Sequence, residues 1–428
     1  MLLLVSLAEL LLRGPVRFAR ARDFNDFISP YIQTRAWMKG LDPYSPASLV
    51  ALWPDGAQRF DFLKKDLADG SLVLKRGIPT AYPPTSFVLL APVAALPYRV
   101  AHAVWLLTSL LACVVSVLAL ASLLGFHRDQ ERTYVFCAIA FALAPFHTGM
   151  AAGSIVIVAV AACALTAWAA ARQKNIAAGI LIAVAIGLKP QIGLPFLFYC
   201  LLRRRWRVVG LAVAIVALLA GTAIFYLSLH HAPWLDNYRY DNRILFARGS
   251  LGDYTEGNPI RFGLINLQVL VYTFLPVRSL ATLVTFVICG IMGVWWLLLF
   301  RRSHGSATEL LEISALMVLS LLPVYHRLYD ASLLIFPLAW SLSELSGNLK
   351  AMAKATLGLG LFFLIPGGSA LEQLQRSNHL DRLQHSWLWV HIIMPHQIWI
   401  LVFLSVILLL AMRRSAGVQR HSITPAHL

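Results

Sequence analysis

Long apolar runs are the feature that most constrains how this chain of 428 residues can fold. Runs of roughly 18 or more residues recur along it, and each is long enough to cross a bilayer as one helix. Clear examples are residues 104–124, 208–229, 280–300, and 398–412 with its upstream flank. The pattern predicts an all-α fold, a polytopic membrane protein.

The composition excludes several other classes of protein. Apolar residues make up 59% of the chain and charged residues 13%, and the mean hydropathy is +0.70. A soluble globular protein carries about 45–50% apolar and about 25% charged residues. A soluble enzyme, a disordered chain and a secreted disulfide module are therefore excluded. The five cysteines all lie inside apolar runs without metal-ligand spacing, which predicts packing residues.

The excess of positive charge is interpreted as a sign of how the chain is oriented in the membrane. The net charge is +16, which in a soluble protein would suggest a nucleic-acid partner. Membrane proteins instead concentrate Lys and Arg in cytoplasmic loops, so no nucleic-acid partner is predicted. Basic links at 127–132, 172–174, 203–207, 301–302 and 350–354 mark the cytoplasmic side.

The remaining links then face outward. They include three long polar stretches, at residues 13–80, 230–277 and 367–396, which carry amphipathic helical pieces. About twelve spans, with both termini in the cytoplasm, account for the alternation of cytoplasmic and outward-facing links along the chain. We predict one transmembrane domain over residues 1–412 and a cytoplasmic tail over 413–428.

Polar groups at the outer ends of spans are the candidates for chemistry. The first set includes Asp23 and Asp26, directly after the first apolar run and beside Phe24 and Phe27. The pKa of a carboxylate here is raised by desolvation or lowered by Arg22. Such a group could act as a general base toward a sugar hydroxyl. The alternative is a helix cap or a solvated loop acid.

A second candidate is Lys189, between two short apolar runs at the predicted outer end of a helical hairpin. An ammonium group there costs a few kcal/mol unless it is paired or hydrated. A lipid-linked phosphate would satisfy it. The alternative is a lysine that reaches to the interface.

The third candidate is a cluster of charged and aromatic residues at the outer tip of another hairpin. Residues His326, Arg327, Tyr329 and Asp330 suit anion binding and proton handling. The alternative is a self-satisfied Arg327–Asp330 pair among interfacial tyrosines. The sequence has no Gly-rich phosphate loop, zinc-ligand spacing or Gly-x-Ser-x-Gly turn, and no metal is predicted.

Short motifs follow one another along the chain. They are Asp26-Phe27, Gly40-x-Asp42-Pro43-Tyr44, Tyr82-Pro83-Pro84 with Leu96-Pro97, Lys189-Pro190-Gln191 ahead of Arg203-Arg204-Arg205-Trp206, and Tyr325-His326 with Tyr329-Asp330. In this order they resemble glycosyltransferase family 87 of the C-type superfamily, which includes mannosyl- and arabinofuranosyl-transferases that use polyprenyl-phosphate sugars. The resemblance covers nearly the whole chain, and Gly153-Ser154 departs from the family's usual Gly-Gln.

The resemblance implies a helical bundle of the C-type kind and a hexosyl- or pentosyl-transferase of the plasma membrane. A polyprenyl-phosphate sugar would be the donor, a lipid-linked molecule or glycan the acceptor, and the outer face the place of an inverting transfer. Asp26 would be the base, with Asp23 as the alternative. Lys189, His326 and Arg327 would hold the donor phosphate. The residues implied to support the site are Tyr44, Tyr82, Gln191, Tyr329 and Asp330.

No cofactor is expected, because the phosphate leaving group already activates the donor. From another class of function, the alternative is a transporter or flippase of lipid-linked sugars without bond chemistry. A flippase is expected to place functional charges midway through its spans, and few charges lie there.

Overall fold

The computed structural model describes most of the chain. The described residues are 1–20, 26–54, 63–65, 72–74, 82–125, 129–302, 308–365, 367–376 and 386–423. Asp23, the alternative base, lies outside them, whereas Asp26 lies inside.

The described residues are almost entirely helical, which confirms the all-α prediction. The helices of the first half are α1 (Leu2–Arg13), α2 (Pro15–Arg20), α3 (Ile28–Met38), α4 (Pro46–Ala51), α5 (Thr85–Ala94), α6 (Tyr98–Leu123), α7 (Gln130–Ala142), α8 (Ala144–Ala152), α9 (Val156–Ala171), α10 (Asn175–Leu188) and α11 (Pro190–Leu202). Those of the second half are α12 (Trp206–Leu229), α13 (Trp234–Leu245), α14 (Leu267–Phe274), α15 (Arg278–Phe300), α16 (Glu309–Ser320), α17 (Ile335–Glu344), α18 (Lys350–Leu361), α19 (Gly367–Arg376) and α20 (His396–Ile423).

Shorter elements complete the fold. Strands β1 (Leu63–Lys65) and β2 (Leu72–Leu74) pair antiparallel, with Leu63 opposite Leu74. Turns of 3-10 helix occupy Arg261–Gly263, Leu328–Leu334 and Phe362–Leu364, and a π-helical turn occupies Trp389–Ile393.

Four helices among the described residues are long and apolar enough to cross a membrane. They are α6, α12, α15 and the His396–Ala416 part of α20. Each contains one of the four apolar runs that the sequence singles out. A fifth span results if α7 and α8, which are bent by 48° at their junction, count as one. The total of twelve spans stays a prediction.

The junction of α7 and α8 differs from the sequence expectation. The short links that the sequence predicts to face outward include residues 146–153, but all of these except Gly153 belong to α8. Pro145 has no N–H to donate to the carbonyl of Phe141, so the α7 helix ends and a new helix begins at another angle.

The chain divides into two compact units. The N-terminal unit comprises Leu7–Ala119 and Phe146–Asp253, and the C-terminal unit comprises Met1–Ser6, Leu120–Pro145 and Tyr254–Leu428. Within the N-terminal unit α10 packs between α9 and α12, and α3 packs on α5. Within the C-terminal unit α16 packs on α17 and α20, and α18 packs on the same two helices.

The predicted break at Lys189 is confirmed. Lys189 leaves the helical conformation, with φ −146° and ψ 92°, and joins α10 to α11. Pro190 follows as the first residue of α11, where its missing N–H is not needed. The two short apolar runs are thus two helices of 14 and 13 residues rather than one long span.

A tight turn at Gly153 connects α8 to α9. Gly153 has φ +67°, in the left-handed region that favours glycine. A Cβ atom at this position would lie 2.3 Å from Cε2 of Phe18, a side chain with no exposed surface. The turn therefore depends on glycine for both its backbone conformation and its packing.

We predict that Gly153→Ala destabilises the protein by about 1–3 kcal/mol, because the methyl group overpacks a buried site and the backbone conformation is strained. Thermal unfolding of the purified protein in detergent measures this loss. Gly221→Ala is the matched control, since a Cβ atom there meets no atom within 4 Å. Equal stability of Gly153→Ala and the parent would contradict the prediction.

Candidate functional site

Asp26 and Phe27, which precede α3, contact the turn between α8 and α9 and the helix α6. The N–H of Asp26 donates to the carbonyl of Ala152, and the ring of Phe27 stacks on Trp105 with centroids 5.0 Å apart. Nε1 of Trp105 in turn donates to the carbonyl of Gly153 at 2.8 Å. Asp26 is half-buried, and its backbone is hydrogen-bonded to the neighbouring turn.

Two side-chain hydrogen bonds join three of the predicted motifs. The hydroxyl of Tyr44 donates to the carbonyl of Tyr82 at 2.9 Å. The hydroxyl of Thr85, on the first turn of α5, donates to the carbonyl of Gly187 at 2.8 Å. The structure therefore brings together Tyr44, Tyr82 and the Gly187–Lys189 turn, which are far apart in the sequence.

The residue before Lys189 and the residue after Asp26 belong to the same part of the core. Leu188 and Phe27 belong to one buried apolar cluster, together with Tyr31 and Leu90. Lys189 is 9% exposed, and its carbonyl accepts hydrogen bonds from the first turn of α11. Gln191, on that turn, is half-buried. The residues next to Asp26 and Lys189 in the sequence, Phe27 and Leu188, are thus members of the same buried cluster of the N-terminal unit.

The remaining predicted residues lie in the C-terminal unit. Nδ1 of His326 and Oδ2 of Asp330 are 3.1 Å apart, and both side chains are fully buried. The same oxygen accepts the backbone N–H of Arg327 at 2.9 Å, which caps the 3-10 turn that follows. The sequence offers an Arg327–Asp330 pair as the alternative, and the structure adds a contact of Asp330 with the side chain of His326.

Arg327 and Tyr329 are half-buried rather than enclosed. Nε of Arg327 donates to the hydroxyl of Tyr325 at 2.7 Å, which directs the guanidinium group along the tyrosine. A neighbouring segment also holds the backbone of this cluster. Leu264 forms an isolated antiparallel β-bridge with Arg327, and the N–H of Ile265 donates to the carbonyl of His326 at 3.0 Å. Arg327 is thus the more accessible of the two basic side chains, since His326 is fully buried.

A buried carboxylate pair was not predicted as part of any site. Asp42, on the turn before α4, accepts hydrogen bonds from the N–H of Tyr44 at 2.9 Å and from Nδ2 of Asn237 at 2.5 Å. Asp241 lies one turn further along α13 and is 3% exposed. The rings of Tyr238 and Tyr44 are 4.9 Å apart. The contacts of Asp42 with Asn237 and of Tyr44 with Tyr238 thus join the α3–α4 turn to the amphipathic helix α13.

Burial determines the protonation of this cluster. It raises the pKa of Asp241 to about 7, and the nearby charge of Asp42 adds to the effect. Burial, with the charges of its neighbours, also holds the pKa of the Tyr44 hydroxyl well above its usual range. Tyr44 is therefore a neutral hydrogen-bond donor toward Tyr82 at physiological pH.

An apolar cavity of about 720 Å³ lies in the C-terminal unit. It is bounded by α18, α19, the π-helical turn and α20, and its wall is almost wholly aliphatic and aromatic. Among the described residues, no group of three or more His, Cys, Asp or Glu side chains is arranged to hold a metal ion.

Comparison with known proteins identifies the family. A family model for glycosyltransferase family 87 matches residues 80–324, more than half of the chain. The chain belongs to glycosyltransferase family 87. It is thus a membrane glycosyltransferase. No match was found among curated proteins or among solved structures.

The matched range of this family 87 member contains only some of the predicted site residues. Tyr82, Lys189 and Gln191 lie inside it. Asp23, Asp26 and Tyr44 precede it, and the cluster from His326 to Asp330 follows it. The roles of individual residues therefore rest on their geometry and stay predictions.

We predict that stability decreases with increasing pH because of Asp241. Its raised pKa means that the folded state binds a proton more tightly than the unfolded state, so this contribution is complete below about pH 4 and is lost as the pH rises through about 7. Asp241→Asn should remove the dependence and stabilise the protein by about 1–3 kcal/mol at pH 8. Thermal unfolding at pH 5 and pH 8 measures both effects.

The matched control is Asp236→Asn, on the same helix, where the side chain is 91% exposed. This variant should keep the pH dependence of the parent. If Asp241→Asn loses stability at pH 8, the assignment of a buried, proton-binding carboxylate is wrong.

Proposed function

We propose that this family 87 enzyme transfers a hexosyl or pentosyl group, in the first place mannosyl, from a polyprenyl-phosphate donor to a lipid-linked or glycan acceptor. The transfer would take place with inversion at the outer face of the plasma membrane. The observation that carries this proposal is that Phe27, next to Asp26, and Leu188, next to Lys189, are members of one buried apolar cluster of the N-terminal unit. A base and a cation close to each other are what this displacement needs.

In the proposed reaction Asp26 removes the proton from the acceptor hydroxyl as its oxygen attacks the anomeric carbon. The bond from that carbon to the phosphate oxygen breaks, and the lipid phosphate leaves with the bonding electron pair. One displacement on one carbon inverts its configuration. A base on a firmly held backbone suits this step, because correct positioning contributes several kcal/mol to lowering the barrier. Ala152 and Trp105 hold the Asp26 loop in this way.

Cationic groups stabilise the departing phosphate in this proposal. In the N-terminal unit this cationic group is Lys189, which lies at the break between the two apolar helices α10 and α11. In the C-terminal unit Arg327 is the half-buried donor, and the buried His326–Asp330 pair orients the turn on which it lies. Tyr44, Tyr82, Gln191 and Tyr329 support the surrounding backbone and polar surface.

The apolar cavity of the C-terminal unit supports a lipid donor. Its wall combines aliphatic residues of α18 and α20 with aromatic ones, including Phe362, Trp399 and Phe403. An isoprenoid chain buries apolar surface in such a cavity without hydrogen bonds. The donor already carries its leaving group, so the proposal includes no cofactor, and it includes no metal.

The proposed topology places both termini in the cytoplasm and the Asp26 loop outside. It follows from the basic links, such as 203–207, which precede outward-running helices. A flippase for lipid-linked sugars, the alternative, would bind the same lipids but break no bond. Transfer of the sugar is therefore the measurement that separates the two functions.

We predict that Asp26→Asn lowers sugar transfer by about 10²- to 10⁴-fold, because the amide cannot accept the hydroxyl proton. Donor binding and thermal stability should stay close to those of the parent. Purified protein is incubated with a panel of polyprenyl-phosphate sugars and lipid acceptors, and products are measured by mass spectrometry. Asp236→Asn, an exposed acid on α13, is the control.

Asp23→Asn is measured in parallel, because the sequence motif admits either aspartate. Loss of turnover in Asp23→Asn alone would move the role of base to that residue. Full turnover in both variants would refute a first-loop carboxylate as the base. Absence of any product from the parent with every donor would overturn the proposed transfer.

We also predict that Lys189→Gln weakens donor binding about 10- to 100-fold, because a charge-assisted contact to phosphate is lost. The apparent KM for the donor in the transfer assay reports this effect. Lys174→Gln is the matched control, since Lys174 lies exposed at the opposite end of α10. Equal KM values for the two variants would exclude Lys189 from the donor site.

A further inference from the structure

Thr85 is a buried polar residue that none of the predicted motifs includes. It is the first residue of α5, directly after Tyr82-Pro83-Pro84, and it is 8% exposed. Its hydroxyl donates to the carbonyl of Gly187 at 2.8 Å, although the two residues are 102 positions apart. The hydrogen bond joins two helices rather than two turns of one helix, so it fixes the start of α5 to the end of α10.

The carbonyl of Gly187 needs a donor from outside its own helix. In a continuous α-helix it would accept the N–H of the residue four positions later, which is Gln191. The chain leaves the helical conformation at Lys189, and Pro190 has no N–H, so the regular series of hydrogen bonds is interrupted here. A buried carbonyl without a partner is destabilising, and the Thr85 hydroxyl supplies the donor.

The backbones around this hydrogen bond approach one another closely. A Cβ atom at Gly187 would lie 2.8 Å from Cδ1 of Leu89, a residue one turn further along α5. On α11, a Cβ atom at Gly193 would lie 2.6 Å from the backbone nitrogen of Ile186. The end of α10 is therefore in close contact with both α5 and α11.

Lys189 lies two residues after the carbonyl that Thr85 binds. Its N–H donates to the carbonyl of Ala185 at 2.9 Å, and its own carbonyl accepts the N–H groups of Ile192 and Gly193 at 3.0 and 3.2 Å. The backbone of Lys189 thus belongs to the end of α10 and to the start of α11. Because of this, the direction of its side chain depends on where α10 ends.

The segment 82–85 is fixed at its other end as well. The hydroxyl of Tyr44, a side chain that is 1% exposed, donates to the carbonyl of Tyr82 at 2.9 Å. Pro83 and Pro84 follow, and their rings restrict φ, which leaves this segment few conformations. It therefore forms a stiff connection between the α3–α4 turn and the end of α10.

We propose that Thr85 is a positioning residue for Lys189. Its hydrogen bond to Gly187 holds the end of α10 where the lysine ammonium meets the donor phosphate. The inference rests on the proposed function, in which Lys189 contacts that phosphate. Thr85 itself contacts neither substrate in this proposal, so the loss of its hydroxyl weakens donor binding without removing a group that takes part in the transfer.

The test measures the kinetics of sugar transfer by the full chain in detergent. Thr85→Val removes the hydroxyl at nearly the same side-chain size, and Thr85→Ser keeps the hydroxyl. Thr166→Val is the matched control, because it removes a buried hydroxyl of the same unit that bonds within its own helix, to the carbonyl of Ala162 at 2.7 Å. Donor and acceptor concentrations are varied separately, so that kcat and the two KM values are resolved.

We expect Thr85→Val to raise the KM for the donor about 3- to 10-fold, the effect of one lost hydrogen bond. The kcat and the KM for the acceptor should stay close to those of the parent. Thr85→Ser and Thr166→Val should match the parent in all three constants. A donor KM in Thr85→Val equal to that of the parent would overturn the proposal, as would an equal rise in Thr166→Val.

A second variant acts on the other end of the segment 82–85. Tyr44→Phe keeps the ring, which lies against Tyr238 and Phe87, and removes only the hydroxyl that holds the carbonyl of Tyr82. It should raise the donor KM in the same direction by a smaller factor, and it provides the test if Thr85→Val does not fold. A donor KM equal to that of the parent would contradict the stiff connection on which the proposal depends.

A double variant tests whether Thr85 acts through Lys189. In Lys189→Gln the ammonium group is already absent, so the addition of Thr85→Val should not raise the donor KM further. If the two effects multiply instead, Thr85 acts on the donor by another route and the positioning role is wrong.

Chemical labelling of lysine gives a result that does not need turnover. An amine-reactive ester labels accessible amino groups, and Lys189 is only 9% exposed. In Thr85→Val it should be labelled several-fold faster than in the parent, whereas Lys174, exposed at the opposite end of α10, should keep its rate. Peptide mass spectrometry measures both rates.

The labelling result separates this inference from the proposed function. An unchanged rate at Lys189 in Thr85→Val would refute the inference and leave the proposed transfer intact. A parent that transfers no sugar, in a chain where Thr85→Val still changes the labelling of Lys189, would refute the proposed function and keep Thr85 as the residue that places this lysine.

Discussion

Side-chain donors that satisfy the carbonyls at helix breaks hold the N-terminal unit together. A polar group of the backbone that is buried without a partner costs several kcal/mol in a membrane, where no water replaces the lost hydrogen bond. Three breaks in this unit leave such carbonyls, at Leu96, Gly153 and Gly187. Tyr31 and Arg35 donate to the first, Trp105 to the second and Thr85 to the third.

The same hydrogen bonds position the polar residues of the unit. Thr85 fixes the turn on which Lys189 lies, and Trp105 fixes the turn against which the Asp26 loop packs. Arg35 lies beside Leu96 because it shares that carbonyl with Tyr31. The hydrogen bonds that satisfy the backbone at the helix breaks therefore also position the charged groups. Both depend on the interruption of a helix, because only there are its backbone polar groups left without partners in the helix.

Some parts of the site could be predicted from the sequence and others could not. The break at Lys189 is visible as a Lys-Pro pair between two short apolar runs. The contact of Asp330 with His326 was not predicted, because the backbone path between the two residues, which the 3-10 turn sets, is not visible in the sequence. The contact between Asp42 and Asn237 has no local signal, since the two residues are 195 positions apart.

The sequence by itself determined that the chain is helical, that it has membrane-spanning segments and where several of them break. Hydropathy and proline positions are local properties, and a bilayer turns them directly into helices and helix ends. Only the tertiary structure decided that Tyr44 meets Tyr82, that Leu188 and Phe27 belong to one buried cluster, and that Arg35 and Arg99 share a cavity. These contacts depend on how helices pack side by side, which the apolar pattern leaves open because every face of such a helix is apolar.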